Sequence, residues 1–313
     1  MNTFETTDED KVEFKDQGES NNKKRKIGPN STDADTVASG TSENGNTLDA
    51  NRARMESTRP STIFGNKPMN DTVQYVANFL WRYCDQDNIE IEAKLGTIID
   101  NRTRQRLSLP VGTETVILPD SDLRTRFKSD MSLNQHKMYN QMLNDMVQKP
   151  PEGCRVKYKH TRERDRFFKL SDGRKIRVTT DQQSGEIVPN GVLEKTRIAD
   201  LNIYSPNQAF DYRISVSIEN PASIPGGNHM YERNKDRLSY SHGNIQFDLT
   251  QVKSPDTSGQ QDVTHELELE FIDTRILAAE KRKQAQGEAS EFASMVEVFL
   301  DNARILSKRG GRA

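Results

Sequence analysis

Two stretches of the chain place a charged residue at every second position. In Ile89-Glu90-Ile91-Glu92-Ala93-Lys94-Leu95, the two-residue period of a strand puts Glu90, Glu92 and Lys94 on one face and Ile89, Ile91, Ala93 and Leu95 on the other. Glu266-Leu267-Glu268-Leu269-Glu270-Phe271 repeats this with three carboxylates on one side. At a rise of about 3.3 Å per residue, neighbouring carboxylates on such a face emerge roughly 7 Å apart. The row repels itself unless something cationic sits among its members. Taken singly, each strand reads as an acidic face turned to water over a core-packed apolar face.

That reading weakens once the other period-two segments are included. Strands are expected over residues 88–99, 154–170, 174–181, 192–204, 211–219, 230–240, 244–252 and 263–273, with short ones near 115 and 125. Lys175, Arg177 and Thr179 oppose Ile176 and Val178, while Lys195 and Arg197 share a face with Leu193. Arg213, Ser215, Ser217 and Glu219 oppose Tyr212, Ile214, Val216 and Ile218; Asp248 and Thr250 oppose Ile245, Phe247 and Leu249. Arg233, Lys235 and Arg237 alternate with the polar Asn234 and Asp236. Ionic side chains are poor strand formers and costly to bury, so their recurrence on one side requires a reason. Sequential strands joined by turns such as Asp172-Gly173 imply an antiparallel sheet, which this many strands can close into a barrel. A closed barrel with a polar interior and helices over its apolar exterior satisfies the pattern. A divalent cation on the glutamates and a polyanion on the Lys and Arg residues would neutralise the two sets. Oxygen-only ligation favours Mg²⁺ or Mn²⁺ over zinc, and a phosphate chain is the polyanion that also bridges such a metal.

The covering helices are legible as well. Asn70 and Asp71 can cap a helix carrying Val73, Val76, Phe79, Leu80 and Tyr83. Ser132 and Gln135 form a capping box for one with Leu133, Tyr139, Leu143, Met146 and Val147, ended by Pro150-Pro151. Phe292, Met295, Val296, Phe299, Leu300 and Ala303 recur at helical spacing near the C-terminus. The class is therefore α+β: a closed antiparallel barrel with supporting helices outside, over residues 61–313.

Residues 1–60 lack Trp, Tyr and Cys and are rich in Asn, Ser, Thr, Asp, Glu, Lys and Gly, which predicts a disordered tail. Within it, Lys23-Lys24-Arg25-Lys26 resembles a nuclear import signal, and also a solvated charge run. No run of apolar residues is long enough for a membrane span and the N-terminus lacks signal-peptide features, so an intracellular protein without membrane contact is expected. Cys84 and Cys154 lie far apart with no ligand-spaced histidine, which argues against a disulfide framework or structural zinc. His136, His160, His229, His242 and His265 form no i, i+4 pair, and the Tyr and Phe residues fall mostly on apolar faces, where core is expected over base stacking. Walker A, GxGxxG, HExxH and GxSxG patterns are absent. Chemistry, if present, belongs to the carboxylate strands.

Glu90 to Gly96 and Glu266 to Phe271 resemble the two metal-binding strands of fungal-type RNA 5′-triphosphatases, the β subunits of mRNA capping enzymes, within the triphosphate tunnel metalloenzymes. Arg233 to Arg237, Leu193 to Ile198, Asp211 to Glu219 and Asp248 to Thr250 extend the resemblance over most of residues 70–275. It implies a closed eight-stranded tunnel in which Glu90, Glu92 and Glu270 bind the metal. Glu266 and Glu268 would hold basic side chains or metal-bound water, and Glu219 would orient the attacking water. Lys175 or Arg177, Lys195, Arg197, Arg233, Lys235 and Arg237 would surround the triphosphate, with Lys94 near the metal strand and Asp248 pairing with tunnel arginines. The implied reaction removes the γ-phosphate from triphosphate-ended mRNA, the first step of capping. The same tunnel acting on free nucleoside triphosphate, inorganic polyphosphate or thiamine triphosphate is the alternative, and a barrel that only binds RNA or a phosphorylated peptide is a third. Gln246 stands where the family commonly has a basic residue, two positions before the Asp-x-Thr. The tail has no Trp-containing peptide of the kind by which some relatives bind guanylyltransferase, so the phosphorylated tail of RNA polymerase II is an alternative partner to that enzyme. Nuclear location and a homodimer are further expectations.

Overall fold

The computed structural model describes residue 63, residues 70–255 and residues 259–311; the tail and the basic cluster assigned to residues 1–60 lie outside the described residues. Residues 67–313 form one compact unit. Its elements are α1 (Asp71–Trp81), β1 (Ile89–Asp100), β2 (Thr115–Ile117), β3 (Thr125–Lys128), α2 (Leu133–Gln148), β4 (Lys157–Lys169), β5 (Lys175–Asp181), β6 (Ile187–Tyr204), β7 (Asp211–Pro221), β8 (Tyr231–His242), β9 (Ile245–Pro255), β10 (Gln261–Phe271), α3 (Thr274–Ala285) and α4 (Phe292–Arg309).

Eight strands follow one another in the order β10-β9-β8-β4-β5-β6-β7-β1, and β10 pairs with β1 to close the barrel. The pairings around the ring are antiparallel, and closure leaves these strands without a free edge. At the closing seam Glu92 lies opposite Glu270 and Lys94 opposite Glu268, so the two carboxylate strands are direct neighbours. β3 extends the far end of β1, and β2 that of β6.

Outside the barrel, the apolar parity of β1, β7 and β10 (Ile91, Leu95, Ile214, Val216, Leu267, Leu269) joins Val76, Leu80, Phe299 and Leu300 of the helices in the main core. Asn70 accepts from the Thr72 and Val73 amides, and Ser132 and Gln135 bond reciprocally at the start of α2, as their spacing predicts. Phe299 stacks on Phe271 at 4.6 Å, and the Tyr139 hydroxyl donates to the Leu306 carbonyl at 2.7 Å. These contacts fasten α4 to β10 and α2.

Several local expectations are corrected. Tyr83 lies past the end of α1, and Leu133 is 48% exposed because it sits in the first turn of α2, beside its cap. α3 was not anticipated: Leu277 and Ala278 are its buried apolar residues, too narrow a stripe for helical periodicity to show. β6 begins at Ile187, five residues earlier than expected, because Pro189-Asn190-Gly191 reads as a turn yet lies within the strand. Asn190 takes φ of 54°, and a Cβ on Gly191 would stand 2.7 Å from the Thr179 and Val188 carbonyl oxygens. Only glycine fits that close approach.

Candidate active site

The polar parity of the strands encloses a cavity of about 450 Å³ lined by Glu90, Glu92 and Lys94 of β1, Arg177 of β5, Lys195 and Arg197 of β6, Glu219 of β7, Arg233, Lys235 and Arg237 of β8, and Glu266, Glu268 and Glu270 of β10. Eight carboxylates and seven cations line it in all, which explains how so many charges share an interior. Each set screens the other.

The ion pairs follow the strand order. Lys195 contacts Glu90 and lies 3.6 Å from both Glu92 and Glu219. Arg197 reaches Glu92 at 3.2 Å, and Arg177 reaches Glu219 at 3.3 Å. Lys94 is 2.6 Å from Glu268, whose other oxygen is 3.2 Å from Arg237. Glu268 thus contacts two basic side chains. Asp248, on the inward parity opposite Glu268, pairs with Arg237 at 2.8 Å and is fully buried, so it is not itself among the residues that line the open cavity. The register shift between Arg197 and Ala199 brings Asp200 opposite Ser215, where it pairs with Arg197 at 2.5 Å and Arg213 at 3.5 Å. Two buried guanidinium nitrogens, Nε of Arg177 and Nε of Arg233, donate to no protein acceptor. Such donors are costly to leave unmade, and they suit the oxygens of an anion.

Burial and charge act on these groups in opposite directions. Burial lowers the Lys94 ammonium pKa, but Glu268, Glu92 and Glu266 overcome it and hold the charge firmly; burial raises Glu268, yet Lys94 and Arg237 keep it well below the usual carboxylate range. Among the described residues Glu270 makes no direct ion pair, and the pull of Arg237 is outweighed. Burial, then Asp248, Glu268 and Glu90, push its carboxyl up to about 8. Glu90 is raised by burial and by Glu92 and Glu219 against the pull of Lys195. Lys235 is lowered, chiefly by burial, with Asp165 2.5 Å away. Surplus negative charge therefore collects where Glu90 and Glu270 flank Glu92. Among the described residues, carboxylates, imidazoles and thiols do not converge in threes as a ready-made cage. Glu90 and Glu92 close on Lys195 instead. The oxygen-only donors and the undischarged carboxyl of Glu270 nevertheless fit a hard divalent cation.

Of the expected phosphate-binding residues, Lys175 lies outside the cavity: it shares a parity with Arg177 but stands exposed opposite Lys169. Gln246, standing where a cation was expected, donates to Glu270 at 2.8 Å and Asp248 at 3.2 Å. Sequence reasoning missed Glu163, Asp165 and Phe167 of β4, whereas Thr179 and Thr250 line the cavity on the charged faces assigned to them. Arg162, Arg164 and Arg166 alternate with Glu163 and Asp165, so both faces of β4 are ionic and periodicity cannot say which points inward. Phe167 and its neighbour Tyr231 also depart from the expectation that aromatic residues are core, for neither belongs to a hydrophobic core cluster.

A family model described as "mRNA capping enzyme, beta chain" matches residues 66–311. The chain belongs to this family. The mRNA-capping enzyme subunit beta of Schizosaccharomyces pombe is 40% identical over 255 residues, covering 78% of this chain and 84% of that protein. The Cryptococcus neoformans subunit is 34% identical over 261 residues, covering 79% of this chain and 64% of that protein. Among solved structures, S. pombe Pct1 RNA triphosphatase in complex with the Spt5 CTD superposes with a TM-score of 0.74 at 39% identity, covering 80% of this chain and 99% of that one. The eight-stranded barrel, with two extra strands and four helices among the described residues, is the family's triphosphate tunnel.

Proposed function

We infer that this chain is the RNA 5′-triphosphatase of mRNA capping, a hydrolase that releases the γ-phosphate of a triphosphate-ended transcript and leaves a 5′-diphosphate. The observation that carries this is the closing seam of the barrel: Glu92 faces Glu270 and Lys94 faces Glu268 beneath a lining whose guanidinium nitrogens Arg177 Nε and Arg233 Nε await acceptors. Family membership, a relative named polynucleotide 5′-triphosphatase and the RNA triphosphatase fold support the reading.

Arg177, Arg197, Arg233, Lys235 and Arg237, with Lys195, bind the phosphate oxygens and stabilise the charge that gathers on them during displacement. Glu219, held between Arg177 and Lys195, accepts a hydrogen bond from water and orients it toward the γ-phosphorus. Glu266 and Glu268 keep the cations in place; Lys94 and Arg237 lie on Glu268 already, and Asp248, opposite Glu268, also pairs with Arg237. Glu90, Glu92 and Glu270 would hold Mg²⁺ or Mn²⁺, which when bound supplies Lewis-acid polarisation of the γ-phosphoryl oxygens. Lys195 would then shift its contacts from the glutamates to phosphate.

The test measures phosphate release from triphosphate-ended RNA and from ATP with Mg²⁺ or Mn²⁺, for the wild type, Glu92→Ala and Glu268→Ala. We expect losses of about 10²–10³-fold in both variants, in line with lost oxyanion donors. Equal release by all three proteins would refute the assignment, and indifference to RNA in competition with ATP would shift it to a free nucleotide substrate. The Pct1 complex with the Spt5 CTD supports a tail-peptide partner, and we propose the phosphorylated tail of RNA polymerase II or capping guanylyltransferase in that role; from the sequence we further propose a nuclear location and a homodimer. A monomer in sedimentation at micromolar concentration would refute the last of these.

A further inference from the structure

Near the first residue of β8, the ionic lining gives way to aromatic rings. Phe167 lines the cavity, and Tyr231, its register partner across the β4–β8 pair, stacks on it with centroids 4.5 Å apart and planes 14° from parallel. Arg233, two residues along the same face of β8, sets its guanidinium carbon 4.9 Å from the Phe167 centroid. Tyr231 remains 40% exposed, and among the described residues Phe167 is the one ring in contact with it. Neither ring belongs to a hydrophobic core cluster, so core packing does not explain the pair.

Its position relative to the charges is informative. Phe167 is the register partner of Arg177, Arg177 touches Glu219, and Lys195 touches both Glu219 and Glu90. Adjacent strands stand about 4.8 Å apart, so the rings lie one strand from the first cation of this series. A triphosphate whose γ-phosphoryl group sits among Glu90, Glu219 and Lys195, and whose inner phosphates meet Arg177 and Arg233, presents its nucleoside to Phe167 and Tyr231.

We propose that Phe167 and Tyr231 form a stacking platform for the base of the substrate's first nucleotide. This rests on the triphosphatase reading and deepens it by naming what lies beyond the phosphates. Every base has a π face, so the platform separates base-bearing triphosphates from bare polyphosphate without selecting one base over another. Arg233 serves both parts, stacking on Phe167 while its free Nε–H remains available to phosphate.

The experiment compares KM and kcat of the wild type, Tyr231→Ala and Tyr231→Phe on a triphosphate-ended oligoribonucleotide and on inorganic tripolyphosphate. Loss of one stacked base corresponds to about a five- to hundred-fold effect. We expect Tyr231→Ala to raise KM for the oligonucleotide by that factor with kcat nearly constant, to leave the tripolyphosphate KM unchanged, and Tyr231→Phe to match the wild type. An equal rise for both substrates, or no rise for the oligonucleotide, overturns the platform. Wild-type enzyme that hydrolyses neither substrate overturns the triphosphatase reading instead. Fluorescence anisotropy of the labelled oligonucleotide then tests the platform by itself, since Tyr231→Ala must still weaken binding while tripolyphosphate competes equally well against both proteins.

Discussion

Glu270 shows how one residue can serve function at the expense of stability. Its carboxyl titrates near 8 against an ordinary 4.5, because burial and three neighbouring carboxylates oppose its ionisation. Between those values the folded chain holds a proton that the unfolded chain has released, so this group's contribution to stability falls as pH rises through the window. In metal-free protein, Glu270→Gln is therefore expected to melt above the wild type at pH 8.5, with the difference shrinking toward pH 4.5. Added Mg²⁺ should raise the melting temperature of the wild type more than that of the variant. Scanning calorimetry across this range checks both expectations, and a difference independent of pH would contradict the first. Asp211 is a contrasting buried carboxylate, wholly structural: it accepts from the Ile98 and Ser205 amides at 2.9 and 3.0 Å and pairs with Arg106 at 2.6 Å. Asp211→Ala strands these donors and is expected to cost about 3 kcal/mol in urea unfolding.

At the scale of elements, what could be read in advance depended on how cleanly polarity alternated. β1 and β10 were legible because charge and apolar residues take opposite parities, and the inward glutamates followed at once. β4 was not, since its outward arginines are themselves paired along β8, Arg162 with Asp236 at 3.1 Å and Arg164 with Asn234 at 3.0 Å. Pairing with a neighbouring strand leaves no mark in the strand's own period. The seam of α2 against β10 carries a second pH effect. His136 lies 4.7 Å from the His265 ring, and burial, reinforced by that imidazole, pushes it down to about 4 from 6.5. Here the unfolded chain binds more protons between those values, so this seam should lose stability as pH falls from about 6.5 toward 4. His136→Phe is expected to flatten that part of the stability profile; a profile unchanged by the substitution would show that the ring does not govern it.

For the molecule as a whole, 45 basic and 47 acidic residues cancel to a net charge of -2, and the barrel shows where much of that balance is spent. Its interior is nearly neutral because cations and carboxylates interleave across strands, while the apolar parity faces the helices. The fold class and the identity of the two carboxylate strands were present in the period of the sequence. The displacement of Lys175, the burial of Asp248 and the aromatic pair came only from register, which places residues of separate strands side by side. The account's central claim is that this interleaved tunnel removes the terminal phosphate of an RNA 5′ end. The most direct measurement follows γ-labelled and α-labelled triphosphate-ended RNA with wild-type protein and a divalent cation. The account predicts inorganic phosphate from the γ label and a retained 5′-diphosphate end from the α label; release of pyrophosphate, or of no label at all, would contradict it.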